Sequence, residues 1–244
     1  MNKFFRKIRQ QLLNEGKTSK YFKYAIGEII LVVIGILIAL QINIHNESLK
    51  KERHLNGILN TISQDLELDT LTAGIIVTFY EANGKNSLKI INKEITKENF
   101  KDCPECLGLT SIYKPLIIQT KGYEMLKDFA SQNSKQNDSL LVPITHFYNS
   151  YLKIIEDSNK FVKEEVLKNV ESYKAYNWFV DWTQGTYNKD MIAFFTESET
   201  YRKQVASHNL LAGGNHLLYV KSYKQNATSM LEFIQSNLDE PANE

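Results

Sequence analysis

The longest run of apolar side chains in the chain is IILVVIGILIAL at residues 29–40, twelve residues with no polar group. Twelve residues are too few to cross a bilayer. Extended to 24–44, the run is interrupted only near its ends, by Glu28, Gln41 and Asn43. These about 21 residues, at ~1.5 Å each, cover roughly 30 Å, the thickness of the hydrocarbon core. The pattern predicts a transmembrane helix. From residue 45 the apolar positions become one-sided. Leu55, Ile62 and Ile76 share one seven-residue register, and Leu59, Leu66, Ala73 and Tyr80 share another. Together they predict a helix over 45–92, with Asp69 on its apolar stripe and Gly74 as a poor helix former.

Residues 96–120 carry Cys103, Pro104, Cys106, Gly108 and Pro115 and read as irregular. Over 123–129, Tyr123, Leu126 and Phe129 share a helical face, with Met125 at its edge. Asp138 or Ser139 is placed to cap the next helix, with Pro143 tolerated near its first turn. Ile144, Tyr148, Tyr151 and Ile155, then Val162, Val166, Val170 and Tyr173, recur every three or four residues and predict an amphipathic helix over 139–175. Residues 176–196 read as an aromatic connector. Ser198 caps a last helical region built on Tyr201, Val205, Leu217, Val220, Met230, Ile234 and Leu238, which Gly213 and Gly214 split or bend. No stretch alternates as a strand does. The predicted fold is all-α: an N-terminal transmembrane helix followed by an antiparallel, up-and-down helical bundle. The predicted segments are a basic leader at 1–23, the span at 24–44 and a helical domain at 45–244.

Charge gives the span a direction. The chain carries a net +1, but residues 1–28 sum to +5, so the remainder carries −4. Seven Lys and Arg (Lys3, Arg6, Lys7, Arg9, Lys17, Lys20, Lys23) precede the span and three (Lys50, Lys51, Arg53) closely follow it, mixed with Glu47 and Glu52. The positive-inside rule then keeps the N-terminus in the cytoplasm and exports the rest, which predicts a single-pass inner-membrane protein with a periplasmic domain. The alternatives are a buried core helix and a cleaved signal peptide. A signal peptide fits poorly, because the best small-x-small pair at the exit, Leu37 and Ala39, contains a bulky leucine. Phe4, Phe5, Ile8, Leu12 and Leu13 form an apolar face in the leader that suits an anionic membrane surface. Inside the span, Gly35 and Ala39 lie four apart and permit close helix approach. Glu28 is an ionisable group that either snorkels to the headgroups or finds a partner.

Candidate chemistry is sparse. The Cys103-Pro104-Glu105-Cys106 spacing predicts, in an exported domain, a structural disulfide closing a small loop. The alternatives are incidental free thiols and thiol-redox or metal chemistry. A thioredoxin-like site needs a strand–helix context that 95–112 lacks, and zinc needs two further ligands. His45, His54, His146, His208 and His216 include no pair at the spacing of a shared helical face, and read as surface or interfacial residues. Asp65, Glu67 and Asp69 form an acidic run, read as a solvated face, with a cation site as the alternative. Trp178, Phe179 and Trp182 read as core, with a ligand or partner surface as the alternative. No phosphate loop, nucleophile elbow or dinucleotide fingerprint occurs, no cofactor is implied, and the acidic remainder gives nucleic acid no electrostatic footing.

The run FFRKIRQQLLNEGKTSKYFKYAIGEIILVVIGILIALQIN, residues 4–43, resembles the start of a family of single-pass membrane-anchored proteins of unknown function found widely in Bacteroidetes-type bacteria. The resemblance extends loosely to Lys121-Gly122-Tyr123 and the two long helical regions. The family usually leaves the membrane through an Asn-Trp-Asn-type sequence, where this chain reads Asn43-Ile44-His45-Asn46, so an interfacial Trp anchor is missing. The resemblance implies inner-membrane placement and a periplasmic domain, and supplies no catalytic residue. The expected function is non-enzymatic: assembly with itself, or with a membrane or periplasmic protein partner, on the lipid bilayer. The alternatives are an envelope ligand or stress sensor working through a membrane partner, and a periplasmic thiol-redox protein.

Overall fold

The computed structural model describes residues 18–133 and 138–239. It is 84% helical, and no strand occurs among the described residues. The basic leader, with its Phe4–Leu13 apolar face, lies outside them. The first helix, α1, spans Thr18–Ile91. The chain divides into two compact units, Met1–Leu55 and Asn56–Glu244. In the first unit, Ile29 to Ile44 of α1 keep their apolar side chains exposed, and the helix is long and apolar enough to cross a membrane.

The second unit is a helical bundle. In α1 its buried stripe runs Leu59, Ile62, Leu66, Asp69, Ala73, Ile76, Tyr80, Ser87 and Ile90, alternating steps of three and four with one gap at Asn83. The helix stops in a Schellman motif. Glu94 N–H donates to the Lys89 carbonyl (2.8 Å) and Lys93 N–H to that of Ile90 (3.1 Å), with Lys93 in the left-handed region at φ 59°. Two 3₁₀ turns follow, Phe100–Asp102 and Pro104–Leu107. An extended strap, residues 109–120, then leads to α2, Lys121–Gln132. Next come α3 at Asp138–Tyr173, the short α4 at Phe179–Thr183, α5 at Lys189–Glu197 and α6 at Glu199–His208. A π-helical segment, Asn209–His216, continues directly into α7, Leu217–Asp239.

Cross-links fix the directions. Lys221 pairs with Glu81 (2.6 Å), while the Tyr223 hydroxyl donates to Asp69 (2.6 Å), so α7 runs against α1. The Tyr151 hydroxyl bonds Ser222 (2.9 Å) and Ser158 bonds His216 (2.9 Å), so α7 also runs against α3. α1 and α3 are therefore parallel, and a parallel pair needs a crossover. The strap is that crossover, returning beside α1 from Asn83 to Asp65. Asn83 donates to the Leu109 carbonyl (3.3 Å), and the Tyr80 hydroxyl accepts from Lys114 N–H (2.8 Å). The Asp69 carboxylate accepts from Gln119 N–H (3.1 Å) and Asp65 from Gly122 N–H (2.8 Å). On the other side Asn159 of α3 satisfies both backbone groups of Leu116, at 3.1 and 2.6 Å. Gly122 then passes so close to α1 that a Cβ there would lie 2.6 Å from the Ile62 amide nitrogen.

Several expectations are corrected. Asp138 and Ser139 are the first two residues within α3 rather than its cap, and Pro143 sits deeper, as the sixth residue. The 176–196 connector contains two short helices. Gly213 and Gly214 neither split nor simply bend the last region. They lie in the π segment, where a Cβ on Gly213 would collide with the Asn209 side chain. Ser198 does cap α6, accepting from Tyr201 N–H at 3.3 Å. Asp69 is not on a solvated face, and Asp65 is half-buried. Both carboxylates are committed to the strap, and among the described residues no group of three or more His, Cys, Asp and Glu is placed to hold a metal. His208 and His216 are core residues, 0% and 1% exposed, while His45, His54 and His146 are exposed.

Burial tunes two of these groups in opposite senses. It pushes the Asp69 carboxyl up to about 6, against the opposing pull of the Tyr223 and Gln119 hydrogen bonds. It pushes His208, whose ring nitrogens both lack a protein partner, down to about 4. The stability linked to Asp69 is fully present below its unfolded value of 3.8 and is lost as pH rises through about 6. The stability linked to His208 is present above its unfolded value of 6.5 and is lost as pH falls through about 4.

Two predictions follow from this packing. Gly122→Ala should destabilise the domain by about 1–3 kcal/mol, read from the denaturant midpoint. Relative to the parent, Asp69→Asn should make stability rise more steeply from pH 4 to pH 7, and His208→Leu should make it rise less steeply or fall. Each difference should reach up to about 3 kcal/mol across that window, read as melting temperature against pH.

Candidate functional site

The site is built around the loop that follows the first 3₁₀ turn. Cys103 and Cys106 are joined in a disulfide, and both are buried, at 2% and 0% exposure. The loop is held from beneath by two buried tyrosines. The Tyr201 hydroxyl donates to the Cys106 carbonyl (2.6 Å) and accepts from Leu109 N–H (3.2 Å). The Tyr173 hydroxyl shares a 2.6 Å hydrogen bond with Thr110. Burial drives both phenols well above their ordinary value, so they remain protonated at any physiological pH. Around them Phe195 meets Tyr201 edge-on (centroids 4.8 Å), and Trp178 and Tyr173 lie 5.2 and 5.6 Å from Phe195.

Pro104, Glu105 and Leu107–Leu109 of the same loop line a cleft of about 770 Å³. One wall is α1, through Phe79 and Ala82. Leu107 and Ile112 of the loop form a second, and Val170 of α3 with Trp182 of α4 a third. Polar groups are few. Asn83 and Ser111 are already used, on the Leu109 and Gly108 carbonyls. Asn86, Tyr187 and the exposed Glu105 also line the cleft. A mostly apolar concavity of this size, with a few polar groups, is the ordinary form of a small-molecule or partner-segment site.

No protein-family model, curated protein or solved structure matches the chain. The case for a function therefore rests on the chemistry of the site. Of the residues singled out in the sequence, the structure buries Cys103, Cys106 and Trp178 in one core cluster, packs Phe179 and Trp182 against that cluster, and places Trp182 also on the cleft wall. Glu28, Gly35 and Ala39 belong to the first unit and are not among the residues that line this cleft. A Cβ on Gly35 would meet open space, and Ala39 is exposed. The tyrosine clasp and the cleft had no signature in the sequence, because Tyr173 and Tyr201 are far from the loop along the chain and occupy positions that any core residue would fill.

Catalytic thiol chemistry needs an accessible sulfur, and neither sulfur of this disulfide is exposed. Cys106→Ser should therefore trap no mixed disulfide with a cellular substrate. Replacing both cysteines with serine should cost about 2 kcal/mol, the loop-closure value for so short a ring, measured by urea denaturation of oxidised parent and double variant. A stable trapped adduct, or a double variant of unchanged stability, would contradict the structural role.

Proposed function

We propose that this chain is a non-enzymatic, single-pass inner-membrane protein whose helical domain faces the periplasm and binds a ligand or an apolar segment of a partner in the cleft above the disulfide. The observation that carries this is the cleft itself. A largely apolar concavity of about 770 Å³ opens between α1, the disulfide loop, α3 and α4. The apolar 24–44 stretch, the basic flank before it and the resemblance of residues 4–43 to membrane-anchored proteins support the placement. The disulfide supports an oxidising compartment. Among the described residues the lining offers one carboxylate, Glu105, the nearby sulfurs are bonded to each other, and the buried tyrosines stay protonated. A mostly apolar cleft of this make-up supports a binding role. Occupancy of the cleft reaching a membrane partner would make the protein a sensor, and occupancy by a protein segment would make it an assembly factor.

Two measurements test this reading. A C-terminal alkaline phosphatase fusion should be active while the corresponding green fluorescent protein fusion stays dark. The full chain, extracted from its own membrane in a detergent-free copolymer, should carry a non-covalently bound mass in native mass spectrometry. Ala82→Trp, which fills the cleft from an exposed position, should remove that mass with the helical circular dichroism unchanged. A chain with no bound mass, or one that keeps it in Ala82→Trp, would defeat the binding role.

A further inference from the structure

The binding reading can be taken further, to the class of ligand, because the cleft's surroundings are asymmetric in polarity and in charge. Apolar surface continues out of the cleft along α1. Counting back from Phe79 in steps of four, four and three come Ile75, Leu71 and Leu68, exposed by 63%, 70% and 53%. From Leu68 to Ala82 the helix rises about 21 Å, longer than the ~15 Å of hydrocarbon in one bilayer leaflet. A single alkyl chain can therefore lie lengthwise on this track, whereas a compact ligand would leave most of it uncovered.

The opposite end of the track is polar. The Cys106 sulfur lies 3.8 Å from the Asn86 carbonyl oxygen, which puts the disulfide loop, and Glu105 within it, at the Asn86 end of α1. Among the described residues the Glu105 carboxylate has no ion pair, and it is the one carboxylate in the lining. Lys114, outside the lining, holds its ammonium 4.6 Å from the Phe79 ring centroid. At Gly108 and Leu109 the main chain of the loop is already paired. Leu109 N–H is taken by Tyr201, its carbonyl by Asn83, Gly108 N–H by Glu105 and the Gly108 carbonyl by Ser111. Strand addition, which depends on a free main-chain edge, finds none at these two residues.

We infer that the cleft holds a long-chain amphiphile with a cationic or neutral head, its tail along Phe79, Ile75, Leu71 and Leu68 and its head beside Glu105, Asn86 and Tyr187. The test uses the full chain in phosphatidylcholine nanodiscs and three diazirine-bearing twelve-carbon probes that differ only in their heads: trimethylammonium, glucoside and sulfate. Labelled peptides are located by mass spectrometry and saturability is judged by competition with the unlabelled compounds. Peptides spanning 79–86 and 104–112 should be labelled saturably, with trimethylammonium and glucoside exceeding sulfate by about five-fold, the scale of one charge contact at a wet surface. Glu105→Lys should invert that order, a change that partitioning of the probes into the bilayer cannot produce. Saturable labelling that favours sulfate, with the head then at Lys114, or an order indifferent to Glu105→Lys, would overturn the assignment of ligand class and leave the binding role standing. Absence of saturable labelling in these peptides with every probe would overturn both.

Discussion

The domain depends on one constraint: a non-helical segment is wedged between two helices with Leu109, Thr110 and Leu116 buried, and buried backbone N–H and C=O groups cannot go unpaired. Residues 109–120 have no neighbouring strand to bond with, so side chains of the two flanking helices take that role. Tyr80 and Asp69 of α1 and Asn159 of α3 hold the amides of Lys114, Gln119 and Leu116. Each such bond contributes about 1 kcal/mol net, but leaving the same group buried and unpaired costs about 1–3 kcal/mol, so the set behaves as a requirement more than as a bonus. Without the strap, α1 and α3 could not lie parallel, since the chain would have to return by another route.

The strap also accounts for the cleft. Where it begins, at Leu109, the chain has just left the disulfide loop, and Tyr201 bridges Cys106 and Leu109 across that junction. The loop is thus held at its Cys106–Leu109 end by Tyr201 and Asn83, and is braced internally by the disulfide. It stands against α1 as a rigid wall and does not collapse into the space between Phe79 and Val170. An apolar concavity open to water has an incentive to close. Here the covalent ring and the pinned tyrosines resist closure, which gives the buried cysteines a role in shaping the binding site without any exposed thiol chemistry.

How much of this could be read from the residue pattern depended on whether the signal was local. The apolar run at 29–40, the stripe of α1 and the rhythm of α3 are repeats within one helix, and they predicted helices where helices are found. The Ser198 cap is likewise local. The pairing of the two cysteines could be anticipated from their spacing, whereas the tyrosine clasp joins residues 92 and 95 positions apart and leaves no periodic trace. Asp65 and Asp69 misled for a related reason. Two carboxylates four apart resemble a solvated or cation-binding face, and only the strap's return path shows that they receive backbone amides. The burial of His208 and His216 was hidden as well, because nothing in the spacing of two isolated imidazoles distinguishes a core position from a surface one.

The two departures of α1 from a simple amphipathic helix have a common logic. On its inner face a carboxylate stands where the pattern calls for an aliphatic side chain, and on its outer face Leu68, Leu71 and Ile75 stand where it calls for polar ones. Local rules in a folded chain usually break where something other than stability of that element is being served. The inner exception serves the strap, whose amides need an acceptor at Asp69 even though burial raises that carboxyl to about 6. The outer exception has no such partner within the domain, yet it leads, turn by turn, to Phe79 and Ala82 in the cleft. Exposed leucines scattered singly need no explanation. A row at helical spacing that runs into a pinned apolar cavity does need one, and a ligand lying along both is the simplest that the chemistry of these side chains allows.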